Sequence, residues 1–120
     1  MDKTTIIREQ NDAFRSHQVL AMAQGIQGRI FLTPGITEKS DENQRQIFDL
    51  VKTFGNCESL PFTEENDPYG EHDFGAFDHC GEKVFWKIDY YNLDLSGGSE
   101  DPSNPKLTHR VLTVMLAREY

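Results

Sequence analysis

Residues Glu64-Glu65-Asn66-Asp67-Pro68-Tyr69-Gly70-Glu71-His72-Asp73-Phe74-Gly75 put five carboxylates and an imidazole into one short stretch. Carboxylate oxygens and an imidazole nitrogen are the groups from which divalent-metal sites and acid–base pairs are assembled. Spacing argues against the simplest arrangement. If residues 73–79 are extended, Asp73 and His79 share a face but lie ~20 Å apart, at about 3.3 Å per residue, too far to hold one ion. His72 would have to recruit Asp67 from its own loop or a residue from elsewhere. A metal-dependent hydrolase using Asp67, Glu71, His72 and Asp73 therefore stands as the alternative reading. The competing reading is structural: Asp67-Pro68-Tyr69-Gly70 is a good β-turn sequence, and the Asp67 carboxylate can accept from backbone amides within it.

Other reactive residues are more isolated. Cys80 lies between Asp78 and Glu82, whose negative charge disfavours a thiolate. Ser96 and Ser99 flank Gly97-Gly98, but no helix follows at once to give a phosphate-binding N-terminus, and Asp94, Glu100 and Asp101 would repel a phosphate. His17 and His109 stand alone and read as surface or packing residues. Cys57 and Cys80, outside any Cys-x-x-Cys motif, are expected to be free thiols.

The carboxylates belong to a wider pattern. Between Glu64 and Asp101 there are eleven acidic residues against Lys83 and Lys87, a net −9 in a chain of −8; the other nine acids and ten bases nearly cancel. A field of one sign repels nucleic acid and membrane surfaces and attracts basic partners, such as a groove that normally holds DNA or RNA. Acidic loops that only maintain solubility are the plainer explanation.

The elements that must position these residues follow from periodicity. Thr5 to Ala23 reads as a helix, with Ile7, Phe14 and Ala21 at heptad spacing, ended by Gly25 and Gly28. Arg29 to Thr33 reads as a strand meeting a turn at Pro34-Gly35. A second helix, capped by Thr37 or Ser40, presents Ile47, Leu50, Val51 and Phe54 on one face as far as Gly55. Residues 55–72 form a loop. Residues 73–79 and 82–91 read as a hairpin about Cys80-Gly81, in which Val84, Trp86, Ile88 and Tyr90 alternate with Phe85, Lys87, Asp89 and Tyr91. Residues 93–105 make an acidic loop. Residues 109–117 fit a helical stripe too, but their β-branched content favours a strand. The expectation is an α+β domain spanning residues 1–120, in the order αβαβββ, with two helices on one face of a small antiparallel sheet. At 120 residues the chain is long enough for one core. No apolar run suits a signal peptide or a membrane helix, so a cytoplasmic location is expected.

Four strings, Asp67 to Gly75, Phe85-Trp86-Lys87-Ile88-Asp89-Tyr90-Tyr91, Ser99-Glu100-Asp101-Pro102 and Arg110 to Ala117, together resemble the bacterial DUF3768 family, in that order and over most of the chain. The resemblance implies a short cytosolic protein of mobile-element origin and carries over no catalytic residue. Asn56 to Phe62 is longer here than in shorter family members.

Taken with the localised acidity, this leads to the expectation of a non-enzymatic inhibitor or adaptor without cofactor or metal. It would bind a basic surface of a nucleic-acid-handling protein, such as a CRISPR–Cas effector or a restriction enzyme, by mimicking DNA. DNA carries one charge per ~1.7 Å of axis, so eight clustered carboxylates could cover a useful part of a groove. The contact residues would be Glu65, Asp67, Glu71, Asp73, Asp89, Asp94, Glu100 and Asp101, each facing Arg or Lys. Direct binding to nucleic acid or membrane is not expected. Tyr91 is a candidate interface residue, and a homodimer with incidental acidic loops is a third possibility.

Overall fold

The computed structural model describes residues 1–120. Helix α1 (Lys3–Ser16) starts where the Asp2 carboxylate accepts from the Thr5 amide at 2.8 Å, satisfying one of the amides that a helix start leaves unpaired. The single first helix expected from the sequence is in fact two. His17, at φ −141° and ψ 73°, breaks the chain between α1 and α2 (Gln18–Ala23). The break lets α2 turn so that Ala21 is buried while Val19 and Met22 face solvent.

Strand β1 (Gln27–Leu32) is followed by a helical turn, α3 (Pro34–Thr37), in place of the simple turn expected at Pro34-Gly35; proline suits the first turn of a helix, where its missing N–H costs nothing. Helix α4 (Asp41–Thr53) is capped by Ser40, whose hydroxyl accepts from the Asn43 amide at 3.1 Å, with Asp41 and Glu42 in the first turn. It buries Ile47 and Val51.

Strands β2 (Phe74–His79) and β3 (Glu82–Tyr91) pair antiparallel across Cys80-Gly81. Both turn residues have positive φ, 50° and 80°, as the tight hairpin turn matched to strand twist requires. Residues 109–117, read as a strand from their β-branched content, form strand β4 (His109–Leu116), followed by a 3₁₀ turn at Ala117–Glu119. Glu119 folds back there, accepting from Thr33 Oγ1 at 2.7 Å and from the amides of Gly35 and Leu116 at 2.9 Å each.

The class is α+β, but the sheet is mixed and not antiparallel. Its order is β1-β4-β3-β2, with β1 parallel to β4 and the other pairs antiparallel. The cause is the helix between β1 and β2. It carries the chain back to the end where β1 began, so β1 and β2 run the same way. The two reversals that follow leave β4 running with β1. Helices α1 and α4 cover one face, where Ala13, Phe14, Ile47 and Val51 join Val84, Trp86, Ile88, Leu112 and Val114 in one core. No helix is long and apolar enough to cross a membrane.

Gly75 faces this core, and a Cβ there would fall onto the Trp86 indole, which is itself fully buried. Gly75→Ala is expected to cost about 1–3 kcal/mol as an overpacking substitution. An unchanged urea midpoint would show that the indole can move aside.

Candidate functional site

Residues 55–72 have little regular structure, yet side chains fix them in place. Phe62 stacks on His72 with ring centroids 3.7 Å apart and planes 5° from parallel, and it meets Phe54 edge-on at 5.0 Å. Asn66 and Thr63 cap one another's amides at 2.8 and 3.2 Å. The turn at Asp67 to Gly70 forms as its sequence suggests, with the Gly70 amide bonded to Asp67 O at 3.1 Å. The Asp67 carboxylate accepts from the His72 amide at 3.0 Å and stabilises that residue's φ of 55°, a left-handed conformation uncommon outside glycine.

His72 does gather carboxylates, though its nearest one comes from outside the motif. Its Nδ1 lies 2.8 Å from an oxygen of Asp12 on α1, and its Nε2 lies 3.4 Å from Asp67. Asp12 also receives Arg15 Nη2 at 3.2 Å. Glu71 and Asp73 point elsewhere, and no three His, Cys, Asp or Glu side chains stand together as metal ligands. With a carboxylate near each nitrogen, the ring acts as a clasp between loop and helix. The clasp borders a cleft of about 630 Å³ between α1, α2 and the loop, whose polar lining includes Glu9, His17, Gln24 and Asn56.

Behind the loop lies a buried polar network that sequence reasoning missed. Asn11 is fully buried. Its Nδ2 donates to Tyr90 Oη at 2.7 Å and to Glu71 O at 2.9 Å, and its Oδ1 accepts from Arg110 Nε at 2.8 Å. Tyr90 in turn donates to the Glu71 carboxylate at 2.8 Å. Burial pushes the Tyr90 phenol above its usual range, so it remains a donor. Arg110, also fully buried, has no carboxylate paired with it directly; it donates to Pro102 O at 3.0 Å and lies 5.3 Å from the Tyr90 ring centre. Burial lowers its pKa to about 10, which leaves it charged at neutral pH. The charge is offset through the chain Arg110, Asn11, Tyr90, Glu71. The available signal was Arg110 on the same alternation as Leu112 and Val114, facing the core.

The eight nominated acids therefore have different surroundings. Asp67 and Glu71 are tied into the loop. Asp101 accepts from Ser103 N at 3.1 Å and pairs with Lys3 at 3.5 Å, and the Ser103 hydroxyl bond chiefly lowers its pKa. Asp94 accepts from the Ser96 amide at 3.0 Å and remains exposed. Asp89 pairs with Lys87 at 2.9 Å. Glu65 and Glu100 are exposed, as are Glu58 and Glu64 outside the nominated set, and none of these four has a cationic partner. Two loops carry these acids, and α1 ties both. Arg8 donates to Gly70 O at 3.2 Å in the first loop, and Gln10 donates to Ser103 O at 2.8 Å in the second.

Asp73 is the carboxylate whose surroundings oppose its charge. Burial first, then the Glu71, Asp67 and Asp89 charges, hold its pKa above the ordinary value. The folded state thus binds this proton more tightly than the unfolded chain does. Its contribution to stability falls as pH rises through the window just above the ordinary carboxylate range. Asp73→Asn is expected to be more stable than the wild type at neutral pH, with the gap closing in acid. Urea midpoints at the two pH values test this, and a less stable Asn variant at neutral pH would contradict it.

Residues 32–119 match the model of a family described as a protein of unknown function, DUF3768. No curated protein matches the chain, and no solved structure does.

Proposed function

Because the chain belongs to the DUF3768 family, whose function is unknown, no activity passes to it by kinship, and we propose that it is a non-enzymatic acidic inhibitor acting in the cytoplasm. Its target is a basic surface on a nucleic-acid-handling protein, such as a CRISPR–Cas effector or a restriction enzyme. The observation that carries this reading is the pair of loops tied to α1, which expose Glu58, Glu64, Glu65, Asp94 and Glu100 without a paired cation. The first loop, residues 55–72, contains no Lys or Arg at all. Its stacked and capped side chains hold the loop backbone in place before binding, which lowers the ordering cost of association. The exposed carboxylates can then meet the Arg and Lys side chains that otherwise contact phosphates.

Glu64→Lys, Glu65→Lys and Glu100→Lys together are expected to abolish capture of the target from a host lysate while the circular dichroism spectrum stays that of the wild type. Each single change should weaken capture in a modest step. Capture should fall steeply with salt, since exposed charges are screened beyond about 8 Å at physiological ionic strength. Capture that survives the triple change would overturn the reading.

A hydrolase centred on Asp67, Glu71, His72 and Asp73 makes the opposite prediction. Under it, His72→Ala alone would be severe, and metal analysis of the pure protein would show a bound ion.

A further inference from the structure

The sheet face turned away from α1 and α4 has a different character from the acidic loops. Only the C-terminal turn reaches over it, where the Tyr120 ring packs edge-on against Phe74 and Phe85 at 6.4 and 5.8 Å. Phe31 is 54% exposed and Tyr120 77%. Both border a groove of about 420 Å³ lined by Val111, Thr113 and Met115. Most charges on this face are paired locally in a chain of net −8. Asp78 pairs with Lys83 at 3.6 Å and Lys87 with Asp89 at 2.9 Å, which leaves Arg29, whose Nε donates to His109 Nε2 at 3.2 Å, as a cation without a carboxylate. An aromatic surface without excess negative charge suits the core of a protein interface, and the long-range repulsion between two acidic molecules is least there.

The strand register suits a second copy of the chain as the partner. Asp89, Val111 and Arg29 form one row across β3, β4 and β1, and Lys87, Thr113 and Phe31 form the next row on the same face. We propose that this face binds a second copy of the chain, with a two-fold axis lying across the strands at the level of Ile88, Leu112 and Ile30. That operation exchanges the two rows. Lys87 then meets Asp89 of the partner subunit, Phe31 meets the partner subunit's Arg29, and Thr113 meets the partner's Val111. The three contacts are an ion pair, a cation over an aromatic ring and an apolar contact, and each occurs twice in an isologous interface. Two sheets packed face to face in this way lie about 10 Å apart, with strands within about 30° of alignment. The loop of residues 55–72, packed through Phe62 against Phe54 and Trp86 on the opposite face, stays free, so this dimer does not depend on the inhibitor reading.

Sedimentation equilibrium of the full chain tests the proposal. The wild type is expected at twice its 13.8 kDa chain mass. Lys87→Asp and Asp89→Lys each set like charges opposite one another, and each alone should weaken association by about a hundredfold or more. Mixing the two variants restores opposite signs at both contacts and should recover the dimer, which a merely structural role for the Lys87–Asp89 pair would not do. Phe31→Ser, at an exposed position that tolerates polarity, should also give monomer with an unchanged circular dichroism spectrum. A wild type that stays monomeric at every concentration, a dimer that persists in these variants, or a mixture that remains monomeric would each overturn the proposal.

Discussion

Asn11→Ala is expected to destabilise the protein by about 3–5 kcal/mol, a large share of the roughly 5–15 kcal/mol that holds a domain folded. The side chain satisfies three buried groups at once: Arg110 Nε, Tyr90 Oη and Glu71 O. Truncation leaves Arg110 Nε and Glu71 O without this partner, at about 1–3 kcal/mol per group and not strictly additive, while Tyr90 Oη keeps the Glu71 carboxylate. It also leaves the Arg110 guanidinium with only its Nη2 bond to Pro102 O, since Nη1 is already buried without a protein partner. Cavity formation from losing so small a side chain is the lesser effect. Tyr90→Phe removes the hydroxyl between Asn11 and Glu71 but leaves Asn11 and Arg110 paired, so a smaller loss of about 1–2 kcal/mol is expected. Urea unfolding of the two variants gives the comparison. If Asn11→Ala costs no more than Tyr90→Phe, the buried arginine does not depend on Asn11.

Arg15→Met should be the second severe change, at about 2–4 kcal/mol. Arg15 lies on α1 with 1% of its surface exposed, and its Nη1 donates to Val51 O at 2.7 Å and to Phe54 O at 2.9 Å. These carbonyls close the C-terminal end of α4, where a helix has no amides of its own to satisfy them. The guanidinium also lies 4.8 Å from the Trp86 ring centre. Burial lowers its pKa, which marks the cost of holding this charge inside. Replacing a buried ion pair with apolar side chains can be neutral because both charges leave. Here the carbonyls remain, so the substitution removes the donor and strands the acceptors. Hydrogen exchange of the last α4 amides should accelerate more in Arg15→Met than in Asp12→Asn, which loosens only one partner of the guanidinium. Equal protection in all three proteins would show that the carbonyls find water instead.

The His72 motif shows how far spacing can lead. The turn at Asp67 to Gly70 was legible because its residues contact one another. Asp12, the nearest carboxylate to His72, was not, because it lies 60 residues away and stands in a helix whose polar positions look like solvated surface. The acids show the same division. Their concentration between Glu64 and Asp101 is a property of the sequence. The pairing of Asp101 with Lys3, of Glu71 with Tyr90 and of Asp89 with Lys87 became visible only when the chain was folded.

What the sequence determined by itself is what local physics encodes. The two-residue period of β3 set its inward face, Ser40 capped α4, and the turn residues at Cys80-Gly81 closed the hairpin. The tertiary structure alone decided the parallel pairing of β1 with β4, the break at His17 and the burial of Asn11, Arg15 and Arg110. Periodicity reports which side of an element is apolar, because neighbours along the chain share that information. Strand partners and the acceptors for a buried cation are supplied by residues far away in sequence, and no local pattern records them.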